Sequence, residues 1–322
     1  MKRIFIVLCI LFGLVISGCQ PKMNLFPDGT DPLLEQYIQG EGPYKVLVIS
    51  VDGTISDSPK RGLLGYAPSL VQEVTSRLQL AAEDDRVKAL VIRVDSPGGS
   101  VTASDVLYNE IERFKQKTGA KVVVSMMDVA ASGGYYISLP ADWIMAHPTS
   151  LTGSVGVIFI RPKVAGLMDK IGVSVEISKS GRNKDMGSPF KPDTAEQEQI
   201  IDTIISNYAD RFQALVKKHR KISEKNLEKI FTAQVFSADG AKKVGLIDGI
   251  GYLPDAVSKA CELAGIPEDS LVITYRREFY PDDTLYNTVT ARTEPLALVN
   301  IDAGNLLPPK AGFHFLWFPA VQ

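Results

Sequence analysis

From Tyr44 onward, short apolar runs alternate with longer stretches whose apolar residues recur at helical spacing. Tyr44–Val51 (YKVLVISV) is a near-continuous apolar run closed by Asp52-Gly53, the pattern of a strand buried on both faces. Ser69–Ala82 sets Leu70, Val71, Val74, Leu78 and Ala81 on one helical face, with Ser69 after Pro68 as a cap. Val87–Val94 reads as a second strand and Ser100–Lys117 as a helix. Lys121–Met127 reads as a third strand, and Ser132–Leu139 as a short helix. Asp142–Ala146, Val155–Ile160 and Val173–Ile177 continue the strand series, with a helix over Val164–Lys170 between the last two. A long helix follows from Thr194 to His219, two shorter ones run to about Val244, and Pro254–Ala264 is a further helix. This alternation predicts an α/β fold, a mostly parallel sheet with right-handed crossover helices.

No sharp change of composition interrupts residues 44–275, which therefore read as a single domain without internal repeats. Residues 19–43, rich in Pro, Gly, Asp and Asn, read as a tether. Residues 276–322 form a tail that ends in the apolar stretch Phe313–Val321. That stretch has three places to go: the body, a neighbouring subunit, or a groove. At the other end, Lys2 and Arg3 precede an apolar run from Ile4 to Ile16. The run is shorter than the roughly 20 residues a spanning helix needs and fits a signal peptide over residues 1–18. Ile16-Ser17-Gly18-Cys19 resembles the bacterial lipoprotein box, which predicts lipidation at Cys19, export, and attachment to a membrane of the cell envelope. An ordinary signal peptide or a short uncleaved anchor is the plainer alternative.

Composition narrows the function classes. With 45% hydrophobic and 22% charged residues and a net charge of −2, nothing global recruits nucleic acid or an anionic membrane surface. Cys9 falls in the signal and Cys19 at the lipidation site, so Cys261 is left without a partner and reads as a buried small hydrophobe. The three histidines, His147, His219 and His314, lack ligand-like neighbours, so no metal and no other cofactor is expected.

Three glycine-containing turns follow apolar strands. In Asp95-Ser96-Pro97-Gly98-Gly99, consecutive glycines let backbone N–H groups approach a ligand, as an oxyanion hole requires; a tight turn before a helix is the plainer reading. In Ala130-Ala131-Ser132-Gly133-Gly134-Tyr135, a strand runs through a short turn into a helix opening at Ser132. A serine there is usually only a helix cap. Here small neighbours clear space for an incoming carbonyl, and the helix start favours developing negative charge, as in a nucleophile elbow lacking the G-x-S-x-G pattern. Thr152-Gly153-Ser154-Val155-Gly156 alone says little.

A serine nucleophile needs a base. His147 precedes a proline at a strand end, His219 lies in a basic run read as solvated, and His314 is in the tail, so each is a poor candidate. A lysine base must be neutral near pH 7, its pKa lowered from ~10.4 to about 7–8 at a cost of roughly 4 kcal/mol. Lys184 lies in the polar segment Ser180–Phe190, where nothing local distinguishes it from a solvated lysine.

Together, Asp95–Gly99, Val129–Tyr136, Thr152–Gly156 and Lys184–Phe190 resemble, in this order, the motifs of the signal peptide peptidase A family, Ser–Lys peptidases of the Clp-protease/crotonase superfamily. The resemblance covers roughly residues 44–265. It implies that Ser132 is the acyl-forming nucleophile, Lys184 the base, and Ser154 the hydroxyl that orients the lysine. Backbone N–H groups of Gly98 or Gly99 and of Gly133 would form the oxyanion hole. It further implies a homo-oligomeric ring, an octamer for a chain of this length, in which serine and lysine come from adjacent subunits. The implied substrates are signal-peptide remnants and other hydrophobic peptides, cut outside the cytoplasm. Two alternatives are a crotonase-like acyl-thioester enzyme and a non-catalytic envelope lipoprotein serving as a scaffold.

Overall fold

The computed structural model describes residues 31–61, 66–288 and 311–317. The signal peptide and Cys19 lie outside them. The chain order begins with strands β1 (Leu34–Gln39) and β2 (Lys45–Asp52), a small hairpin of β3 (Lys60–Arg61) and β4 (Tyr66–Ala67), and helix α1 (Leu70–Ala81). Next come β5 (Val87–Ser96), β6 (Gly98–Ser100), α2 (Val101–Thr118), β7 (Lys121–Ala131) and the single-turn α3 (Gly133–Tyr136). Three short strands, β8 (Trp143–Ala146), β9 (Leu151–Gly153) and β10 (Ile158–Ile160), lead to α4 (Ala165–Ile171) and the long α5 (Ala195–His219). Then follow α6 (Glu224–Ile230), β11 (Val235–Ser237), α7 (Ala238–Val244), β12 (Gly249–Ile250), α8 (Leu253–Ala264), β13 (Leu271–Arg276) and β14 (Gly312–Leu316).

The main sheet runs β1-β13-β2-β5-β7-β8-β12 and is parallel from β13 to β12. Side chains alternate across it. Leu47, Ile49, Leu90, Ile92, Val122 and Val124 face a core shared with α1 and α2, while Val46, Val48, Ala89, Val91 and Val123 face the core beneath α8. Burial on both faces explains why these strands read as unbroken apolar runs. The Ser69 hydroxyl accepts the Gln72 N–H at 3.1 Å, the cap expected for α1. At its C-terminal end β7 changes partner: Val123–Met126 pair with β8, whereas Val129–Ala131 pair with β9. A register irregularity between β5 and β7 accompanies the change, and it delivers the chain to Ser132.

Three differences from the sequence expectations have physical causes. Residues 34–39, within the stretch read as tether, form β1 and pair antiparallel with β13; burial of Gln36 and its bond to the Tyr280 carbonyl at 2.6 Å fix that strand. Val155–Ile160 contributes only β10, and the glycine turn before it supplies β9. Val173–Ile177 forms no strand: Val173, Val175 and Ile177 keep the alternation of one but are exposed, and they pair with no strand among the described residues. The preceding α4 has no buried residue, and its Ile171 is 64% exposed. Among the described residues no helix is long and apolar enough to cross a membrane.

Candidate active site

Ser132 sits where β7 ends and α3 begins, at φ 51° and ψ −111°, in a conformation that non-glycine residues rarely adopt. Its N–H donates to the Gly153 carbonyl at 2.8 Å, its own carbonyl accepts the Tyr136 N–H at 2.8 Å, and the residue is 1% exposed. The hydroxyl caps no helix N–H, so the cap reading of this serine fails. The Oγ points toward the Gly156 carbonyl at 3.5 Å, at the edge of hydrogen-bonding distance.

The turn after β5 meets Ser132 from the other side. Gly98 has φ 104°, and a Cβ there would lie 2.0 Å from the Phe315 carbonyl oxygen and 2.7 Å from the Gly133 nitrogen. Only glycine permits that approach. Gly133 opens α3, so its N–H has no acceptor inside the helix. The Gly98 N–H is engaged by the Ser96 hydroxyl at 3.1 Å, and Gly99 is bridged to Ile55. Asp95 ties this turn to β7 by accepting the Val129 N–H at 3.2 Å. Beneath, Arg93 is ion-paired with Asp52 and lies 3.9 Å from Asp95; burial pushes the Asp52 carboxyl up. The structure thus brings Ser132, Gly98, Gly99 and Gly133 into one corner. Ser104, which sequence reasoning passed over, floors it: its Oγ would be 2.6 Å from a Cβ on Gly133.

The third turn joins this corner directly. Gly153, whose carbonyl holds the Ser132 N–H, is followed by Ser154 at φ 52°, whose N–H donates to the Gln234 carbonyl at 2.9 Å. One peptide unit therefore fixes Ser132 and Ser154 relative to each other.

Lys184 stands apart. It is exposed, its N–H donates to the Gly181 carbonyl at 3.1 Å, and its ammonium makes no hydrogen bond or ion pair to any described residue. Its surroundings are nevertheless ordered. Asp185 accepts from Lys179 at 2.8 Å and from Gln197 at 3.1 Å, and Asn183 donates to Glu196 at 2.9 Å. The Lys179 hydrogen bond is the main cause that holds the Asp185 carboxyl down at about 2. Gln197 also completes a capping box with Thr194, so the whole lysine segment hangs on the start of α5.

No described lysine or histidine contacts Ser132. His147 pairs with Thr149, and His219, expected to be solvated, is instead packed on Tyr108, with its Nε2 2.8 Å from the phenolic oxygen. Burial pushes the His219 pKa down. Cys261 is buried, with its thiol pushed up, as a structural cysteine should be. No cluster of described residues could hold a metal ion.

The sequence model of peptidase family S49 matches residues 114–267, and that of Clp protease matches residues 67–152. The chain is 35% identical over 290 residues to Protease 4 of Haemophilus influenzae, covering 88% of this chain and 45% of that protein. It therefore spans less than half of that relative. It is 34% identical to a candidate protease of Methanocaldococcus jannaschii, covering 84% of this chain and 86% of the relative. With a candidate signal peptide peptidase of Enterococcus faecium the identity is 31%, over 78% of this chain and 72% of the relative.

Proposed function

The chain is a serine peptidase of family S49 with the Clp-protease-like α/β fold, and from that premise we propose that it is an endopeptidase using Ser132 with Lys184 of a neighbouring copy. The observation that carries this reading is the asymmetry of the pair. Ser132 is held in a rigid turn beside the open N–H of Gly133, while Lys184 is ordered, exposed and unpaired among the described residues. The unpaired alternation Val173–Ile177 and the wholly unburied α4 lie just before Lys184, which supports a second copy packing there.

In such a pairing, neutral Lys184 takes the proton from the Ser132 hydroxyl as Oγ attacks the peptide carbonyl. The Gly133 N–H receives the oxyanion together with that of Gly99, or with that of Gly98 once it leaves the Ser96 hydroxyl, and the developing charge lies at the start of α3. Lys184 then passes its proton to the leaving amine, and water attacks the acyl-enzyme with the lysine again as base. The Ser154 hydroxyl, fixed through Gly153, orients the lysine amine. Closure of copies around this site gives a ring, an octamer in our reading, and desolvates the lysine as general-base chemistry requires. Hydrophobic peptides, signal-peptide remnants among them, are the proposed substrates, in line with the name of the Enterococcus relative. Anchoring through lipid at Cys19, with the peptidase domain outside the cytoplasm, completes the proposal.

A phosphonylating serine reagent followed by peptide mass spectrometry tests the core of it. Modification should fall on Ser132 and be lost in Ser132→Ala; modification of another serine with turnover intact would sink the assignment. The same spectra report the anchor, for which a diacylglyceryl mass on Cys19 is the expected result and an intact Met1 the opposite one.

A further inference from the structure

The glycine turn after β5 is held from three sides, and two of the ties are backbone. β14 pairs Phe315 with Gly99 and Leu316 with Gly98, so the apolar stretch of the tail packs on the body of the domain. The segment after β2 lies along the opposite edge. There the Ile55 N–H donates to the Gly98 carbonyl at 2.8 Å, and the Ile55 carbonyl accepts the Ser100 N–H at 3.0 Å. The third tie is electrostatic. Asp52 and Asp95 are register partners at the ends of the parallel strands β2 and β5, so their carboxylates stand side by side on one face of the sheet.

Each of these carboxylates governs one part of the corner. Three residues after Asp52 comes Ile55, which carries the backbone bonds to Gly98 and Ser100. Asp95 opens the glycine turn itself, and its side chain accepts the N–H of Val129, three residues before Ser132. Two like charges so placed push the strand ends apart unless a cation lies between them. Arg93 is that cation. It precedes Asp95 by two positions on β5 and so projects to the same face. Its guanidinium is hydrogen-bonded to Asp52 and lies 3.9 Å from the Asp95 carboxylate. The other cation acting on Asp52, Arg77 of α1, is hydrogen-bonded to Glu73 at 3.1 Å.

Packing does not ask for an arginine here. Residues 89–94 are otherwise apolar, Arg93 is 8% exposed, and its buried Nε bonds to no described residue. A buried N–H without an acceptor costs free energy that a valine or leucine would not. Charge balance at two strand ends, both leading into one turn, is what offsets it.

We propose that Arg93 is a positioning residue for the peptidase reaction: by bridging Asp52 and Asp95 it holds the Gly98–Gly99 turn where it and Gly133 can donate to one oxyanion. This rests on the reading of that corner as the peptidase site; Arg93, buried beneath the turn, meets no reacting atom. The oxyanion exists only past the ground state, so displacing the turn lowers kcat and leaves KM nearly as it was.

The test compares kcat and KM for a hydrophobic peptide in the full chain, with kcat referred to the sites that a phosphonylating reagent titrates at completion. Arg93→Gln should lower kcat by about 10- to 100-fold, with KM within about threefold of wild type. Adding Asp52→Asn removes one of the two opposed charges, so the double variant should have a kcat at least about fivefold above that of Arg93→Gln. A peptide aldehyde, whose adduct with Ser132 carries the oxyanion, should lose affinity in Arg93→Gln in step with the fall in kcat/KM. If Arg93→Gln does not fold, Arg93→Lys keeps the charge without the forked reach and should show the same split with a smaller loss. In whichever variant folds, a kcat per titrated site equal to wild type would overturn the proposal and leave Arg93 a structural ion pair. A raised KM at unchanged kcat, or a double variant no better than Arg93→Gln, would overturn it as well. Ser132→Ala is run alongside: turnover persisting there would sink the reading of the site itself. An inactive Ser132→Ala beside an unimpaired Arg93→Gln sinks the positioning role alone.

Discussion

The serine and lysine regions of this molecule are built on opposite principles. Around Ser132 everything is internal: two strained backbone positions, Ser132 and Ser154, are joined through the Gly153 carbonyl, and Gly98 is pressed against Gly133. Around Lys184 the neighbours are tied down by ion pairs, while the lysine and the apolar residues before it face outward. A strained backbone persists only where its surroundings over-determine it. A base needs the reverse, an environment that arrives late enough to desolvate it. In the proposed pairing, the serine half is rigid before assembly and the lysine half is completed by it.

The contrast makes ordered predictions. Ser132→Ala should lower turnover of a hydrophobic peptide by at least about 10⁴-fold. Lys184→Ala should lower it by about 10²–10⁴-fold. Co-assembling the two inactive variants should restore activity, because some sites then hold an intact serine from one copy and an intact lysine from the next. If mixing after dissociation and reassembly restores nothing, the pair works within one chain. Gly98→Ala comes next: the added carbon meets backbone atoms at 2.0 and 2.7 Å, so about 10²–10³-fold in turnover should go, with folded stability reduced by about 1–3 kcal/mol in denaturant titration.

Ser154→Gly separates the two regions more finely. Glycine accepts the φ of 52° without strain, so the melting temperature should hold or rise, while loss of the hydroxyl should slow turnover about 10- to 100-fold. The smallest effect is confined to the lysine side. The folded-state pKa of Asp185 is depressed from the ordinary 3.8 to about 2, so its contribution to local stability is complete above the ordinary value and is lost as pH falls through about 2. Amide protection in residues 179–191, taken relative to the intrinsic exchange rate at each pH, should therefore fall between pH 4 and pH 2 in wild type. The fall should be absent in Asp185→Asn, and protection at Ser132 should not follow it.

How far the sequence could be read follows the same division. The turn at Ser132 was recognisable because a local pattern surrounds it: an apolar strand, small neighbours, then a helix start. The buried strands were recognisable because both faces of the sheet are covered. Lys184 was not, since an exposed lysine in a polar turn is locally ordinary, and only the order of motifs set it apart. The strand read over Val173–Ile177 does not form: the apolar residues are there, but they are exposed and pair with no strand among the described residues. β1 was hidden in a polar stretch because pairing with β13, not its own composition, makes it a strand. The Phe-His-Phe alternation of β14 was a usable signal, but its partner lies roughly 200 positions away, where no local pattern points.

That last separation has a consequence for timing. Synthesis proceeds from the N-terminus at about 5–20 residues per second, so Phe315 follows Gly99 by roughly 10–40 s. During that interval the nascent domain can pack its parallel sheet and set Ser132 in its turn while β6 still lacks the strand that pairs with it. The edge of β6 thus stays open until β14 has been made.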